Sequence, residues 1–307
     1  MVGVADPSER TTASPPTRRV VDVLEALIAR PGDRLGLSEL ARLCAISKPT
    51  CLAVLTELTD RGYLRLDPAS KTYGLGPSLV AAGRAAEREV AVAPVVSERL
   101  QALSDRFGAM TLAAGRSGDQ FMILGATAPT GSSPAVRVGQ RFPFTLPTGV
   151  MFQLWQPDDV LARRSADHPE PFPGLSTPEV QRMAAECRRT GYLVENLSPT
   201  LERVYRIIGR NGDSLPPDVL ELIAELLAGM RERRVLFHDD LVRDAEATHR
   251  VGAVSAPTFD AAGQQALLLA IYARAELTAA DIAARGDALR TVADELTIAL
   301  GGRFPQV

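Results

Sequence analysis

Apolar residues recur at helical spacing near the start of the chain. Val20, Val21, Val23, Leu24, Leu27 and Ile28 predict a first helix over residues 18–30, stopped by Pro31-Gly32. A second helix is expected from Ser38, read as its cap with Leu37 as a staple partner, through Cys44. Ala45-Ile46-Ser47 then turns the chain into a third helix, starting at Lys48 and ending at Gly62. Ser47 suits the N-cap, and Pro49 suits the first helical turn, where its missing N–H would have had no partner. Cys51, Val54, Leu55 and Leu58 fall at i, i+3, i+4 and i+7, so one face packs inward and the other stays free. From Tyr63 to Leu75 the alternation around Asp67-Pro68-Ala69-Ser70 predicts a two-stranded wing. Helices, a tight turn and a wing in this order describe a winged helix-turn-helix whose third helix enters a major groove.

Downstream the pattern changes. Residues 77–93 suit a connecting helix, interrupted by Pro94, and Val95 to Phe107 a further helix ended by Gly108. Met110 to Ala114, Phe121 to Ala126 and Ala135 to Val138 read as short antiparallel strands. Gly149 to Trp155 and Thr177 to Thr190 read as helices, the latter stopped by Gly191, and Tyr192 to Glu195 as a strand. Arg250 to Phe259 and Gln265 to Ala273 pair around Asp260-Ala-Ala-Gly263, before a closing helix from Thr278 to Leu300. Between them, Val219, Leu220, Ile223, Leu226, Leu227 and Met230 mark one face of an amphipathic helix. The expected class is α+β rather than a parallel nucleotide-binding sheet.

Composition narrows the function. With 307 residues, 46% of them hydrophobic and 23% charged, the chain has room for two domains and the balance of a soluble protein. It has no apolar run of about eighteen residues to span a membrane. Residues 1–16 are polar and rich in Ser, Thr and Pro, which predicts a disordered tail rather than a signal peptide. Cys44, Cys51 and Cys187 show no CxxC spacing, which fits core positions in a reducing cytoplasm. The net charge is −3, so DNA binding would rest on a few placed phosphate contacts and on dimerisation. His168, His238 and His249 match no zinc spacing, and no nucleophile elbow, P-loop or dinucleotide fingerprint stands in context. No enzyme, metal or cofactor is expected.

Several segments, taken in order, resemble the IclR family of bacterial transcriptional regulators over most of residues 18–300. They are Leu37-Ser-Glu-Leu-Ala-Arg-Leu43, Glu57-Leu-Thr-Asp-Arg-Gly-Tyr-Leu64 and Tyr73-Gly-Leu-Gly76, followed by Val138-Gly-Gln-Arg-Phe-Pro143 and Cys187-Arg-Arg-Thr-Gly-Tyr192. Val251-Gly-Ala-Val-Ser-Ala-Pro-Thr-Phe-Asp260 with Gly263 completes the set. The resemblance implies a GAF-like effector-binding domain, dimers that pair into tetramers, and control of small catabolic operons. It implies a winged helix over 17–76, a linker helix over 77–93 and an effector domain over 94–302.

There are departures. Leu52 and Ala53 stand where the family usually has a basic residue, and Thr145-Leu-Pro-Thr-Gly-Val-Met151 lacks the usual His and Lys. Glu195, Ala253, Ala270 and Tyr272 align with an acidic residue, a Cys and two Ser that hold a small acid in relatives. The 196–249 stretch exceeds the family's connection by roughly forty residues, a length that implies structure of its own, a helical insertion.

Two sets of site residues follow. Ser47, Lys48, Pro49, Thr50, Leu52, Ala53 and Thr56 would face the groove; Lys48 and the two threonines can hydrogen-bond there, none offers the bidentate pair that reads guanine or adenine, and Thr50, Leu52 and Ala53 suit thymine methyls. Arg18, Arg19, Arg65 and Lys71 are the expected phosphate contacts, or else solvated surface charges. The effector would lie among Leu112, Met122, Leu124, Thr148, Gly149, Glu195, Ala253, Ala270 and Tyr272, with backbone amides near Thr148-Gly149 holding a carboxylate. The exchange of small polar groups for Ala253, Ala270 and Tyr272 favours an apolar or aromatic effector. Double-stranded operator DNA, a small organic effector and a second or fourth copy of the chain are the expected partners. A sensor or scaffold with a degenerate winged helix, binding a protein through the insertion, remains the alternative.

Overall fold

Val23 and Leu27 of α1 (Pro15–Ile28) are sealed against Leu40 and Ala41 of α2 (Leu37–Leu43) and Cys51, Leu55 and Leu58 of α3 (Lys48–Asp60). This computed structural model describes residues 14–28, 30, 32–90, 94–118, 120–134, 136–144, 147–167, 175–210, 217–230, 235–243 and 246–305. The expected disordered tail lies almost wholly outside the described residues, and α1 already includes Pro15 and Pro16. The chain divides into two compact units between Glu89 and Val90.

In the first unit, β2 (Leu64–Asp67) and β3 (Thr72–Leu75) form the wing. A two-residue strand, β1 (Leu35–Gly36), adds to β3 in the order β1–β3–β2. This strand corrects the expected cap. Pairing holds Gly36 extended, so α2 starts at Leu37 with Gly36 as its N-cap, and Ser38 sits inside the first turn. Between α2 and α3, Ala45 adopts φ 52, in the left-handed region, which turns the chain tightly without a glycine. Ser47 caps α3 as expected, its hydroxyl accepting from the Thr50 N–H at 3.3 Å. α4 (Ser78–Val90) follows the wing.

The second unit begins with α5 (Pro94–Phe107), closed by Gly108 at φ 60. Next come β4 (Met110–Ser117), β5 (Gln120–Thr127), β6 (Arg141–Pro143), the four-residue α6 (Pro147–Val150) and a 3-10 turn over Met151–Gln153. α7 (Asp158–Asp167), α8 (Thr177–Thr190) and β7 (Leu193–Asn196) lead into the extra segment. That segment holds α9 (Pro199–Arg210), α10 (Pro217–Ala228), β8 (Val235–Leu236) and α11 (His238–Arg243). The chain ends with β9 (Thr248–Phe259), β10 (Gln265–Tyr272), β11 (Ala275–Thr278) and α12 (Ala279–Ala299). The strands form one antiparallel sheet, β6–β5–β4–β10–β9–β7–β8, with β11 on β9.

Of the strand expected at Ala135 to Val138, Ala135 lies outside the described residues and 136–138 form no strand. Gly139, at φ 87, turns the chain onto β5, and pairing starts only at Arg141 opposite Met122. The helix expected from Gly149 to Trp155 is shorter, broken into α6 and the 3-10 turn.

Helices cover both faces of the sheet. Ala113, Val254, Ala256, Leu269 and Ile271 pack on α5 and α12. Leu112, Ala114, Phe121, Ile123, Leu268 and Ala270 face the opposite cluster, which contains Met151, Phe152, Val180 and Met183. Phe121, Phe142, Phe144 and Phe152 interlock there, with ring centroids 5.4–6.3 Å apart. Truncating such a ring to alanine typically costs about 3–5 kcal/mol. Leu201, Val204 and Ile208 of α9 and Ile223 and Leu227 of α10 belong to the same cluster, so the insertion buries its apolar stripe on its own domain.

Candidate DNA-binding and effector sites

The apolar spacing of α3 buries Cys51, Leu55 and Leu58 and turns the remaining residues outward. Ser47, Lys48, Pro49, Leu52, Ala53 and Thr56 are exposed, and Thr50 is half-buried. The Thr50 and Ser47 hydroxyls bond each other at 2.8 Å, and Thr56 donates to the Leu52 carbonyl at 2.9 Å. Thr56 therefore has its proton committed to the helix and offers a groove chiefly acceptor lone pairs and a methyl group. Leu52, 45% exposed, projects from the middle of the helix without an apolar neighbour cluster to explain it. Arg65 and Lys71 are exposed on the wing, Arg18 is exposed on α1 and Arg19 half-buried. The wing turn is held by Asp67, which accepts from Ala69 N–H at 3.0 Å; that bond and those from Ser70 keep its carboxyl below the usual carboxylate range.

The residues expected around the effector do not all share a face. Cross-strand register puts Leu112, Ala270 and Ser255 side by side, and Leu193 lies opposite Ser255 on β7. Alternation along β9 and β7 adds Ala253 and Glu195 to this face. Tyr272, two residues beyond Ala270, packs against the same cluster. Met122 and Leu124 alternate with Phe121 and Ile123, so they point the other way, and Leu124 packs with the α5–α12 cluster. Both faces of this sheet are covered, so both are apolar, and alternation alone does not tell them apart.

The expected anion cradle also changes. The side chain of Thr148 lies outside the described residues. α6 has four residues, too few to align much dipole, and a β-carbon on Gly149 would meet the Phe144 backbone at 2.7 Å. Gly149 is thus a packing position and not an open cradle.

The charged group on this face, among the described residues, is Glu195, 4% exposed. Its Oε2 accepts from the Tyr205 hydroxyl at 2.6 Å, while Oε1 is buried with no partner among the described residues. Burial pushes its carboxyl up to about 7, against the pull of the Tyr205 hydrogen bond and of Arg274. Gly252 makes the room, since any β-carbon there would collide with Oε1. The Tyr205 ring meets that of Tyr272 edge-on, centroids 6.3 Å apart. Ser255, 5% exposed, adds a hydroxyl to the same face. Tyr205 and Ser255 escaped the sequence reading. The spacing Leu201, Val204, Tyr205, Ile208 marks α9, and Ser255 lies two residues from Ala253 on a strand already recognised.

The three thiols are all raised by burial, so none is a ready nucleophile. Among the described residues no helix is long and apolar enough to cross a membrane.

Residues 16–68 match the IclR helix-turn-helix domain. Over 77 residues the chain is 30% identical to the HTH-type transcriptional regulator TsaQ1/TsaQ2 of Comamonas testosteroni. That match takes in 25% of this chain and 28% of the relative, so the chain spans little more than a quarter of the curated relative's length. An IclR transcriptional regulator from Alicyclobacillus acidocaldarius has a similar structure, with a TM-score of 0.60 at 21% identity, over 94% of this chain and 99% of that one. HmgR of Pseudomonas aeruginosa reaches 0.57 at 18% identity, over 93% and 98%. An IclR homologue from Microbacterium hydrocarbonoxydans, complexed with 4-hydroxybenzoate, reaches 0.54 at 18% identity, over 93% and 98%. At these identities the likeness is one of fold.

Proposed function

From an N-terminal domain of the IclR helix-turn-helix family, joined to a C-terminal domain with the fold of IclR regulators, we propose a ligand-responsive transcriptional regulator. Residues 17–76 bind operator half-sites, 77–93 link, and 94–302 bind a small organic effector. The observation that carries this reading is the Ser47-capped helix α3, buried on one face and presenting Lys48, Leu52, Ala53 and Thr56 on the other. Arg65 and Lys71, with Arg18 and Arg19, contact phosphates, and Lys48 enters the groove. Leu52 and Ala53 contact thymine methyls.

A dimer or tetramer supplies paired half-sites, which offsets the small excess of positive charge. The effector is apolar or aromatic with one polar end, and lies on the sheet face of Leu112, Ala253, Ala270 and Tyr272. The 4-hydroxybenzoate complex of the Microbacterium homologue supports an aromatic occupant for this fold. The effector acts by preferring one of two arrangements of the oligomer, shifting the DNA-competent population.

A mobility-shift titration with the chain's own upstream DNA tests the reading. Saturable binding that weakens steeply with salt is expected. No shift at low salt, where phosphate contacts are strongest, would replace it with a scaffold carrying a degenerate winged helix.

A further inference from the structure

The cluster that faces Leu112 and Ala270 is apolar apart from a few groups, and one of them is a buried carboxylate with half of its hydrogen-bonding capacity unused. Glu195 Oε2 is held by Tyr205, whose helix α9 belongs to the extra segment and is seated by Leu201, Val204 and Ile208. A further ion pair, Arg250 to Glu202 at 3.3 Å, ties α9 to β9. Oε1 lies over Gly252, with Tyr272 beside Tyr205. An orphaned buried acceptor is costly, and a ligand that donates to it recovers that cost.

We propose that Glu195 selects the effector by accepting a hydrogen bond at Oε1 from an O–H or N–H carried on an aromatic or apolar ligand, with Tyr205 as the positioning residue that fixes Oε2. This rests on the effector-site reading above and names the chemistry of the polar end. A phenol or an arylamine fits. A carboxylate end does not when Glu195 is ionised, because it then brings a second negative charge against the first in an apolar surround. The extra segment then has a role in specificity: without Tyr205 the carboxylate is free to turn, and neither oxygen is committed to the ligand.

Calorimetry on the full chain at about pH 8.5, where Glu195 is ionised, with four probes of similar size tests this: 4-ethylphenol, 4-ethylaniline, 4-ethylanisole and 4-ethylbenzoate. The phenol or the aniline should bind about tenfold or more tighter than the anisole and the benzoate. Which of the two leads separates an O–H from an N–H ligand. Glu195→Gln places an amide N–H where Oε1 stood and should abolish or reverse that preference. Tyr205→Phe keeps the ring, leaves Oε2 unpaired as well, and should shrink the preference at some cost in melting temperature. Equal binding of phenol and anisole, tightest binding of the benzoate, or an undiminished preference in Glu195→Gln would each overturn the proposal while leaving an effector site standing. If none of the four binds, the proposal also falls. The effector reading falls with it only if the cell's small-molecule extract also fails to release the chain from its operator.

Discussion

Glu195 should make the stability of the second unit depend on pH in a direction opposite to that of a salt-bridged carboxylate. Burial holds its carboxyl near 7 in the fold, whereas the same group in an unfolded chain sits at 4.5. The folded state therefore keeps its proton where the unfolded state has released it. The stabilisation is complete below 4.5, fades as pH rises, and is gone above about 7. The separation corresponds to about 3 kcal/mol in full, of which about 2.5 kcal/mol falls between pH 5 and 8.5. The facing groups are the Tyr205 hydroxyl from α9, Tyr272 from β10 and Arg274 beyond it. Glu195→Gln keeps an acceptor for Tyr205 and has nothing to ionise.

Melting curves of the full chain and the variant at half-unit steps from pH 5 to 8.5 isolate this group, since every other titration is common to both. Relative to the parent, the variant should gain about 5–10 °C across that range in a unit of this size. Parallel profiles would show that water or a nearby cation already solvates the carboxylate. A parent that gains on the variant as pH rises would reverse the assignment of a buried, unpaired oxygen.

Lys48→Ala should weaken operator binding strongly, read by fluorescence anisotropy at fixed salt, and an unchanged affinity would remove α3 from the interface. Arg65→Ala and Lys71→Ala should each weaken specific and non-specific DNA alike and flatten the log–log salt slope by about one, so an altered base preference at constant slope would contradict phosphate contact. Randomised-site selection should return a palindrome with thymines opposite Leu52 and Ala53, at about 1–3 kcal/mol per mismatch, whereas invariant guanines there would refute the groove assignment. Ala45→Gly should stabilise the first unit by about 1 kcal/mol, because Ala45 holds φ 52, and a lower melting temperature would show that the turn is unstrained.

Where local signals coincide, the chain is legible. Ser47, Pro49 and the Cys51–Leu58 spacing agree on α3; Gly191, at φ 79, stops α8, and Thr278 with Asp281 boxes the start of α12. β1 and β11 are too short to show alternation and exist because β3 and β9 pair with them. β6 was misplaced because Gly139 decides where pairing begins, and that depends on β5. The α-helical stripe of α10 was visible, while Leu201, Val204, Tyr205 and Ile208 show the same spacing and went unused. Of the residues expected around the effector, Leu112, Glu195, Ala270 and Tyr272 do share one face of the sheet. The displacement of Leu124 to the other side needs knowledge of which helices cover which face, and periodicity does not carry that. The fate of the Glu195 oxygens was likewise out of reach, since Tyr205 arrives from a helix whose docking is tertiary.

Gly252 and Glu195 impose an order on how this site can change over generations. A side chain at 252 has no space while the carboxylate stands, because even one carbon would occupy the volume of Oε1. Position 195 is under no such restriction, for a shorter residue leaves Gly252 untouched. A side chain gained at 252 first has to push the Glu195 carboxyl aside and with it the Tyr205 bond, whereas shortening Glu195 first leaves room for position 252 to fill afterwards, so the second order is the easier one. A lineage with a residue larger than glycine at 252 should lack a glutamate at 195, and with it the means of reading a hydrogen-bond donor there.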